Sequence, residues 1–272
     1  MNSCSVKILG AGSALLDILA RVDDSFLSRY VEGEKGGMLL VDSAAQRRLI
    51  GRMEKNAMSR AIGGSAFNTI SALTSLGMKT SFLGKLGKDE NGVYYTDAYR
   101  KLGGDPSSFK YSSEAPTGTC LSLVTPDSER TMRTDLGASS TLCADDVSEN
   151  DFAGVTHVHM EGYLLFFLDT VRKILSLAKR NSCTVSLDFA SFEVVRMFRK
   201  ELPELLEKYV DVIFANEDEA RAFCGQDSFS PEAAADELSR YCSTVVVKLG
   251  REGSFIRENS IDYRIPPVLA AA

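Results

Sequence analysis

Tryptophan is absent from this 272-residue chain, and histidine occurs only at His157 and His159. The 6 cysteines form no C-x-x-C pair, so zinc-finger spacing is missing and no disulfide framework is expected in a chain of this length. No apolar run is long enough to span a membrane. Because the amino-terminal residues are too polar for a signal peptide, we expect a cytoplasmic protein with reduced thiols and no membrane partner.

Basic residues are fewer than acidic residues. The chain has 31 Lys and Arg residues against 37 Asp and Glu residues, which gives a net charge of −6. Nucleic-acid-binding domains present a basic face, so this balance predicts no nucleic-acid partner. The acidic balance does not exclude phosphate-bearing ligands, because backbone N–H groups and a few cations are enough to bind a small anion.

The order of apolar segments predicts the fold class. Short apolar runs alternate with helical patterns, which predicts an α/β fold with a mostly parallel sheet flanked by helices. Two segments, approximately residues 21–59 and 103–133, interrupt this order with short strands and turns. We therefore predict a single domain over residues 1–272 in which these two segments form a small β lid.

Several familiar motifs fail at a required position. The segment from Gly10 to Leu15 begins like a G-x-G-x-x-G dinucleotide fingerprint, but Leu15 replaces the glycine needed for close helix–strand packing. Residues 84–89 lack the last position of a Walker A loop. His157 and His159 have no third metal ligand nearby in sequence, which favours a structural role at a strand end. The incomplete fingerprint is therefore the one feature that favours a nicotinamide-dependent oxidoreductase.

The first candidate site begins with a pair of glycines. Gly63 and Gly64 precede an apolar stripe that predicts a helix, and Ser65 is suited to be its N-cap. The glycines would let a ligand approach the backbone closely, and Asn68 would offer that ligand a donor and an acceptor. A glycine turn that leads into a helix explains the same residues without a ligand.

Asp17 is a second candidate, since it follows the first predicted strand among apolar residues. An unpaired buried carboxylate is costly, so Asp17 should have polar partners. Two hydroxyls of a polyol would satisfy it. The alternative is an aspartate that caps a turn or a helix.

Two more candidates follow apolar strands nearer the carboxyl terminus. Asn216 and Glu219 form an N-x-x-E pattern, which is a helix-capping pattern or a site for hydrated Mg²⁺ and phosphate. Lys248, Gly250 and Gly253 follow the next strand. Spaced glycines there would approach a nucleotide closely or form a tight turn.

In this order and spacing, the motifs resemble those of the ribokinase-like (PfkB) family of carbohydrate and nucleoside kinases. The glycine pair and residues 84–89 look like its amino-terminal signature, and residues 12–17 look like its opening strand and substrate aspartate. The N-x-x-E pattern and residues 249–253 look like its Mg²⁺ and nucleotide motifs. Residues 15–27 are similar to the adenosine-kinase branch, whereas residues 130–133 and 161–163 look like segments shared with sugar kinases.

The resemblance implies a ribokinase-like fold and transfer of the ATP γ-phosphate, with Mg²⁺, to a hydroxyl, expected to be a primary one, of a sugar or nucleoside. It also implies pairing of two chains through their lids. It assigns the substrate to Asp17, Gly63, Gly64, Ser65, Asn68, Arg133 and Glu161. It assigns the nucleotide to Asp188, Asn216, Glu219, Lys248, Gly250 and Gly253, with Glu219 reaching Mg²⁺ through water.

Two departures from the family pattern matter. Members of the family often carry a polar D-x-N-like run at the end of the predicted strand that contains Asp188. In this sequence only Asp188 of that run is present. The family's carboxyl-terminal motif, an aspartate followed by G-A-G-D, supplies the anion hole and the catalytic base, and it is missing from the sequence. We therefore expect the base to lie beyond Ala272. The alternatives are an adenosine kinase specifically, or a sugar- or nucleoside-binding protein that has lost catalysis.

Overall fold

The computed structural model describes residues 6–53, 58–225 and 229–268, so Cys4 lies outside the described residues. The strands in chain order are Lys7–Ala11 (β1), Leu15–Arg21 (β2), Met38–Leu40 (β3), Met58–Gly63 (β4), Lys79–Leu83 (β5), Lys85–Gly87 (β6), Lys110–Ser112 (β7), Thr117–Val124 (β8), Arg130–Gly137 (β9), His157–Glu161 (β10), Thr184–Asp188 (β11), Val212–Asn216 (β12), Thr244–Lys248 (β13), Ser254–Glu258 (β14) and Ile261–Ile265 (β15). The helices are Asp24–Tyr30 (α1), Ser43–Ile50 (α2), Ser65–Ser75 (α3), Glu90–Leu102 (α4), Leu168–Arg180 (α5), Phe192–Met197 (α6), Leu202–Tyr209 (α7), Glu217–Cys224 (α8) and Pro231–Leu238 (α9).

The chain forms two compact units. The large-sheet unit contains residues 1–11 and 143–272, and the small-sheet unit contains residues 12–142. Both segments that were predicted to form a β lid fall inside the small-sheet unit. The predicted α/β class with a large sheet is confirmed.

The large-sheet unit is a mixed sheet whose strand order is β15-β14-β13-β12-β11-β10-β1. Strands β1 and β10 to β13 run parallel, and β14 and β15 are antiparallel additions at one side. Each of these parallel strands contributes fully buried apolar residues to the core, namely Leu9, Val158, Val185, Ile213 and Val245. Because the parallel strands run in one direction, their carboxyl ends meet at one edge, where ligands of α/β proteins bind.

Each helix of this unit buries one apolar face. In α5, Val171, Ile174, Leu175 and Ala178 are buried at the 3- and 4-residue spacing of a helix face. Within the described ranges 6–53, 58–225 and 229–268, no helix combines the length and the hydropathy that a membrane span requires.

The small-sheet unit contains a 5-stranded sheet of order β3-β9-β8-β2-β4. Side chains alternate between its two faces. One face carries Ile18, Ala20, Leu121 and Leu123, which form a core with residues of α1 and α2. The opposite face carries Asp17, which is therefore placed away from the apolar core.

Residues 84–89 of the signature are used structurally in this unit. The Asp89 carboxylate caps α4 through the Gly92 N–H at 2.8 Å and also accepts from the Thr117 N–H at 2.8 Å and hydroxyl at 2.7 Å. A Cβ at Gly87 would overlap the backbone at Thr117. This half of the signature therefore holds α4 against β8 through contacts within the unit.

Candidate substrate and nucleotide sites

The predicted substrate aspartate, Asp17, and the glycine pair lie together in the small-sheet unit. Strand β2 pairs with β4, which brings Leu15 opposite Gly63, and the half-buried carboxylate of Asp17 lies directly against Gly63. A Cβ at Gly63 would stand only 2.6 Å from Asp17 Cγ. The Asp17 carboxylate can therefore occupy this position because Gly63 has no side chain.

Gly64 has a backbone conformation that only glycine adopts without strain, with φ of 114° and ψ of 142°. A Cβ there would also overlap the carbonyl oxygen of Ser13. Gly64 itself is the N-cap of α3, so the prediction that Ser65 caps this helix is wrong: Ser65 is its first residue. Asn68 lies exposed one turn into α3, with its backbone N–H bonded to the Gly64 carbonyl at 2.9 Å.

A tyrosine that sequence analysis did not select fixes this turn. Tyr95 of α4 is fully buried and donates its hydroxyl to the Gly63 carbonyl at 2.7 Å. Its ring packs against Phe67 of α3, with centroids 4.8 Å apart. The glycine turn is thus held from α4. No local motif marks Tyr95, because the contact joins residues 32 positions apart.

The electrostatic environment of Asp17 has two opposing parts. Burial raises the pKa of Asp17, and the positive charge of Arg130 acts in the opposite direction without cancelling that rise. Cys120 lies next to Asp17 in the strand register, and burial raises the pKa of its thiol. Asp17 is therefore a carboxylate that gains from hydroxyl donors able to replace the water it has lost.

Arg133 is not brought together with Asp17. It pairs with Leu121 in the strand register and so lies on the opposite face of the small sheet. Its side chain is 1% exposed and donates to the carbonyls of Glu32 and Gly37, the latter at 3.2 Å. These contacts tie the segment before β3 to β9. The arginine of this segment that interacts with Asp17 is instead Arg130.

The remaining predicted substrate residue, Glu161, belongs to the large-sheet unit. It ends β10, lies opposite Asp188 in the register with β11, and is 1% exposed. Its carboxylate thus stands beside the predicted nucleotide residues at the carboxyl edge of that sheet.

Asp188 and Lys248 form an ion pair at this edge. The Lys248 ammonium donates to Asp188 Oδ2 at 2.7 Å, although the two residues are 60 positions apart. Asp188 Oδ1 accepts from the Ala190 N–H at 2.9 Å. Ala190 has a φ of 67°, a left-handed conformation that costs about 1 kcal/mol or more for a non-glycine residue. The loop after β11 is therefore bent around the Asp188 carboxylate.

Asn216 and Glu219 form a complete capping box at the start of α8. The Glu219 carboxylate accepts from the Asn216 backbone N–H at 2.7 Å and from its side-chain amide at 2.8 Å, and the Glu219 N–H donates to Asn216 Oδ1 at 2.8 Å. Burial raises the pKa of Glu219, which is 2% exposed. Both carboxylate oxygens already accept hydrogen bonds, so this pair is fixed before any ligand arrives.

The two glycines after β13 have different environments. Gly253 has a φ of 87°, and a Cβ there would overlap the backbone of Ile265 and crowd Pro267. Gly250 has a φ of 52° with open space around its α-carbon. Gly253 is thus required by packing within the sheet, whereas Gly250 leaves room for a ligand close to the backbone.

The histidine pair has polar partners of its own. His157 bonds to Thr184 at 2.7 Å, and both His157 and His159 bond to Ser186 at 2.8 Å. Burial lowers the pKa of His159 to about 4, so its ring is neutral at pH 7. Across the described part of the chain, no group of three His, Cys, Asp or Glu residues has the arrangement of a metal cage. The prediction of a structural role agrees with these contacts.

Comparisons with known proteins identify the family of the chain. The family model described as pfkB family carbohydrate kinase matches residues 40–271. The guanosine-inosine kinase of Escherichia coli K12 is 26% identical over 262 residues, which cover 92% of this chain and 59% of that protein. The chain therefore spans less than two-thirds of the length of that relative.

Two solved structures are similar in both fold and sequence. The adenosine kinase from Sinorhizobium meliloti has a TM-score of 0.87 and 31% identity, and the match covers 98% of this chain and 82% of that chain. A probable sugar kinase from Rhizobium etli CFN 42 has a TM-score of 0.84 and 27% identity, with 97% of this chain and 80% of that chain covered. Together with the matched family model, these findings establish that the chain belongs to the PfkB family of carbohydrate kinases.

Proposed function

We propose that the protein transfers the γ-phosphoryl group of ATP to a hydroxyl of a ribonucleoside. The observation that carries the proposal is the Asp17 carboxylate, half-buried and seated against Gly63, with its pKa raised by burial. A carboxylate in this state gains most from a ligand with two neighbouring hydroxyls, as on a ribose ring. The nucleoside kinases among the relatives support this substrate class over a free sugar.

On the substrate side, the Asp17 carboxylate accepts hydrogen bonds from both neighbouring hydroxyls of the ribose and so orients the sugar. The open backbone at Gly63 and Gly64 lets the sugar ring come close, and Asn68 adds a donor and an acceptor at the start of α3. Fixing the sugar in one orientation removes most of the entropic barrier to in-line attack. We propose an indirect role for Arg133, which is to hold the segment before β3.

On the nucleotide side, Lys248 neutralises phosphate charge and Gly250 leaves space for the nucleotide. The oxygen donors of Asp188, Asn216 and Glu219 suit Mg²⁺, which prefers few protein ligands and retains water. Because the Glu219 oxygens already accept from Asn216, we propose that Glu219 meets the ion through water. The ion, when bound, neutralises charge on the transferring phosphoryl group.

Glu219→Gln separates the capping role from the metal role. The amide places a donor opposite the Asn216 donors, so we expect a loss of about 1–2 kcal/mol in the free energy of unfolding. We also expect at least about a tenfold rise in the Mg²⁺ concentration that gives half-maximal rate. Glu217→Gln, at an exposed position in the first turn of the same helix, is the control and should change neither quantity. Destabilisation with an unchanged Mg²⁺ requirement would leave Glu219 a capping residue only.

The pH dependence of substrate use follows from Asp17. Hydroxyl donors need the ionised carboxylate, and burial raises its pKa. The ionised form is complete above that raised pKa and is lost as the pH falls through it. We therefore expect kcat/KM for the nucleoside to fall on acidification at a pH above the ordinary aspartate value of about 3.9. Asp17→Asn should remove this limb of the profile, and a limb that survives the substitution would assign it to another group.

A second proposal concerns pairing of two chains. Strand β3 lies at the edge of the small sheet and exposes Met38, Leu39 and Leu40, the last at 60%. An apolar edge strand is a template for pairing with a second copy. We expect sedimentation of the wild-type protein as a dimer and of Leu40→Lys as a monomer. Equal sedimentation of the two would remove β3 from the interface.

The substrate class is tested with the natural full-length protein, ATP and Mg²⁺ against adenosine, guanosine, inosine, ribose and fructose. We expect kcat/KM to be highest for a ribonucleoside, with a nucleoside monophosphate detected by mass spectrometry. A preference for ribose or fructose would assign the protein to sugars. Nucleoside binding without phosphorylated product would favour the binding protein that has lost catalysis.

A further inference from the structure

Three arginines line a cavity of about 660 Å³ formed by α6, α8 and the residues that follow them in the large-sheet unit. They are Arg196, Arg199 and Arg221, and among the described residues of the lining Asp218 is the one that is acidic. Three positive charges and one negative charge give this lining a charge of +2, opposite in sign to the net −6 of the chain.

Two of these arginines are held by aromatic rings. The guanidinium carbon of Arg196 lies 4.9 Å from the ring centre of Phe192, and that of Arg221 lies 5.3 Å from the ring centre of Phe229. A guanidinium stacked on a ring uses its face, whereas its N–H donors lie in its plane. A cation–π contact of this kind leaves N–H donors of the arginine available to a ligand.

Arg199 is held differently. Gly225 ends α8 in a left-handed conformation with a φ of 67°, and a Cβ there would lie 2.7 Å from Arg199 Nη2. The guanidinium thus lies against the α-carbon of a glycine. Within the described residues, neither Arg196 nor Arg199 has an ion pair with a carboxylate, and Arg221 has one, a 2.6 Å contact to Asp218. An exposed pair of this kind contributes little and is easily exchanged.

We propose that this cavity binds a phosphoryl anion with two or more negative charges, at a site separate from the nucleotide residues. The charge of +2 matches such an anion, and planar guanidinium groups bind phosphate oxygens through paired N–H donors. The volume lies in the range of small-molecule sites, so it accepts inorganic pyrophosphate or an organic phosphate. None of Asp188, Glu219 and Lys248 lines the cavity.

The test is calorimetric titration of the full-length protein with pyrophosphate and, side by side, with ribose 5-phosphate at constant ionic strength. We expect saturable binding of at least one of them with a Kd below about 1 mM. The double variant R196A/R199A should weaken that binding at least tenfold. The ligand affected tells whether the occupant is an inorganic or an organic phosphate. K173A/K208A removes the same charge from exposed positions of α5 and α7 and should bind as the wild type does.

Lys248→Ala distinguishes this cavity from the nucleotide residues. Weaker binding in Lys248→Ala with unchanged binding in R196A/R199A would put the anion beside Asp188 and overturn the proposal. Absence of saturable binding to the wild-type protein would overturn it as well. Neither readout requires phosphoryl transfer, so this inference stands or fails independently of the proposed kinase activity.

Discussion

Asp17→Asn is expected to lower kcat/KM for a ribonucleoside by roughly 30- to 1000-fold. The substitution removes the charge that strengthens two hydroxyl contacts, and their loss costs about 2–4 kcal/mol in total. Burial raises the pKa of this half-buried carboxylate, so hydroxyl donors are expected to stabilise its ionised form. Steady-state kinetics of the full-length protein measure this change.

A thermodynamic cycle makes the assignment to the ribose hydroxyls specific. A 2′,3′-dideoxynucleoside should be as poor a substrate for the wild type as the ribonucleoside is for Asp17→Asn, and the two losses should not add. Asp97→Asn, which removes a carboxylate from an exposed pair with Arg100, is the control and should match the wild type. Additive losses would mean that Asp17 acts elsewhere than on these hydroxyls.

Gly64→Ala is expected to lower kcat/KM by at least about 100-fold and to destabilise the protein by about 3 kcal/mol or more. The new Cβ would be strained at a φ of 114° and would also overlap the Ser13 carbonyl oxygen. The turn must therefore shift, and Gly63 would shift with it. Because the Asp17 carboxylate packs directly against Gly63, a shift of Gly63 displaces the carboxylate, and substrate binding is lost together with stability.

The other end of the same helix provides the control. Gly77 follows α3 with a φ of 84°, but a Cβ there would meet no atom within 4 Å. Gly77→Ala therefore carries only the backbone strain, about 1 kcal/mol, and should retain activity. Thermal unfolding and kcat/KM measured on both variants separate strain from collision. Equal effects at the two positions would contradict the account of the glycine turn.

The sequence predicted the parts of the site that depend on local pattern. The N-x-x-E pattern predicted helix α8, and its capping box is present at Asn216 and Glu219. The alternation of apolar runs predicted the parallel strands, because buried strands and amphipathic helices have different periods. Gly77 occupies the position after the C-cap of α3, where a glycine in a left-handed conformation is common.

Other elements were missed because their sequence pattern is weak. Apolar periodicity did not predict strand β2, because residues 15–20 are apolar on both faces except at Asp17 and so show no alternation. Strand β15 was missed as well, and all its residues are exposed. Helices α6 and α7 have only 6 and 8 residues, too few for a clear helical period.

The contacts that build the site join residues far apart in sequence. The ion pair of Asp188 with Lys248 and the hydrogen bond from Tyr95 to Gly63 arise from strand order and helix packing, which no local motif encodes. Arg133 was selected from its segment, but strand alternation puts Arg130 on the face of Asp17 and Arg133 on the other. Successive side chains of a strand alternate between the two faces, so residues three positions apart lie on opposite faces.

Transfer of the ATP γ-phosphoryl group to a nucleoside hydroxyl can be followed directly by ³¹P nuclear magnetic resonance. The full-length protein is mixed with ATP, Mg²⁺ and a ribonucleoside, and the spectrum is recorded over time. We expect a new phosphate monoester resonance that grows in equal amount with ADP. ADP accompanied by inorganic phosphate alone, or an unchanged spectrum, would contradict it.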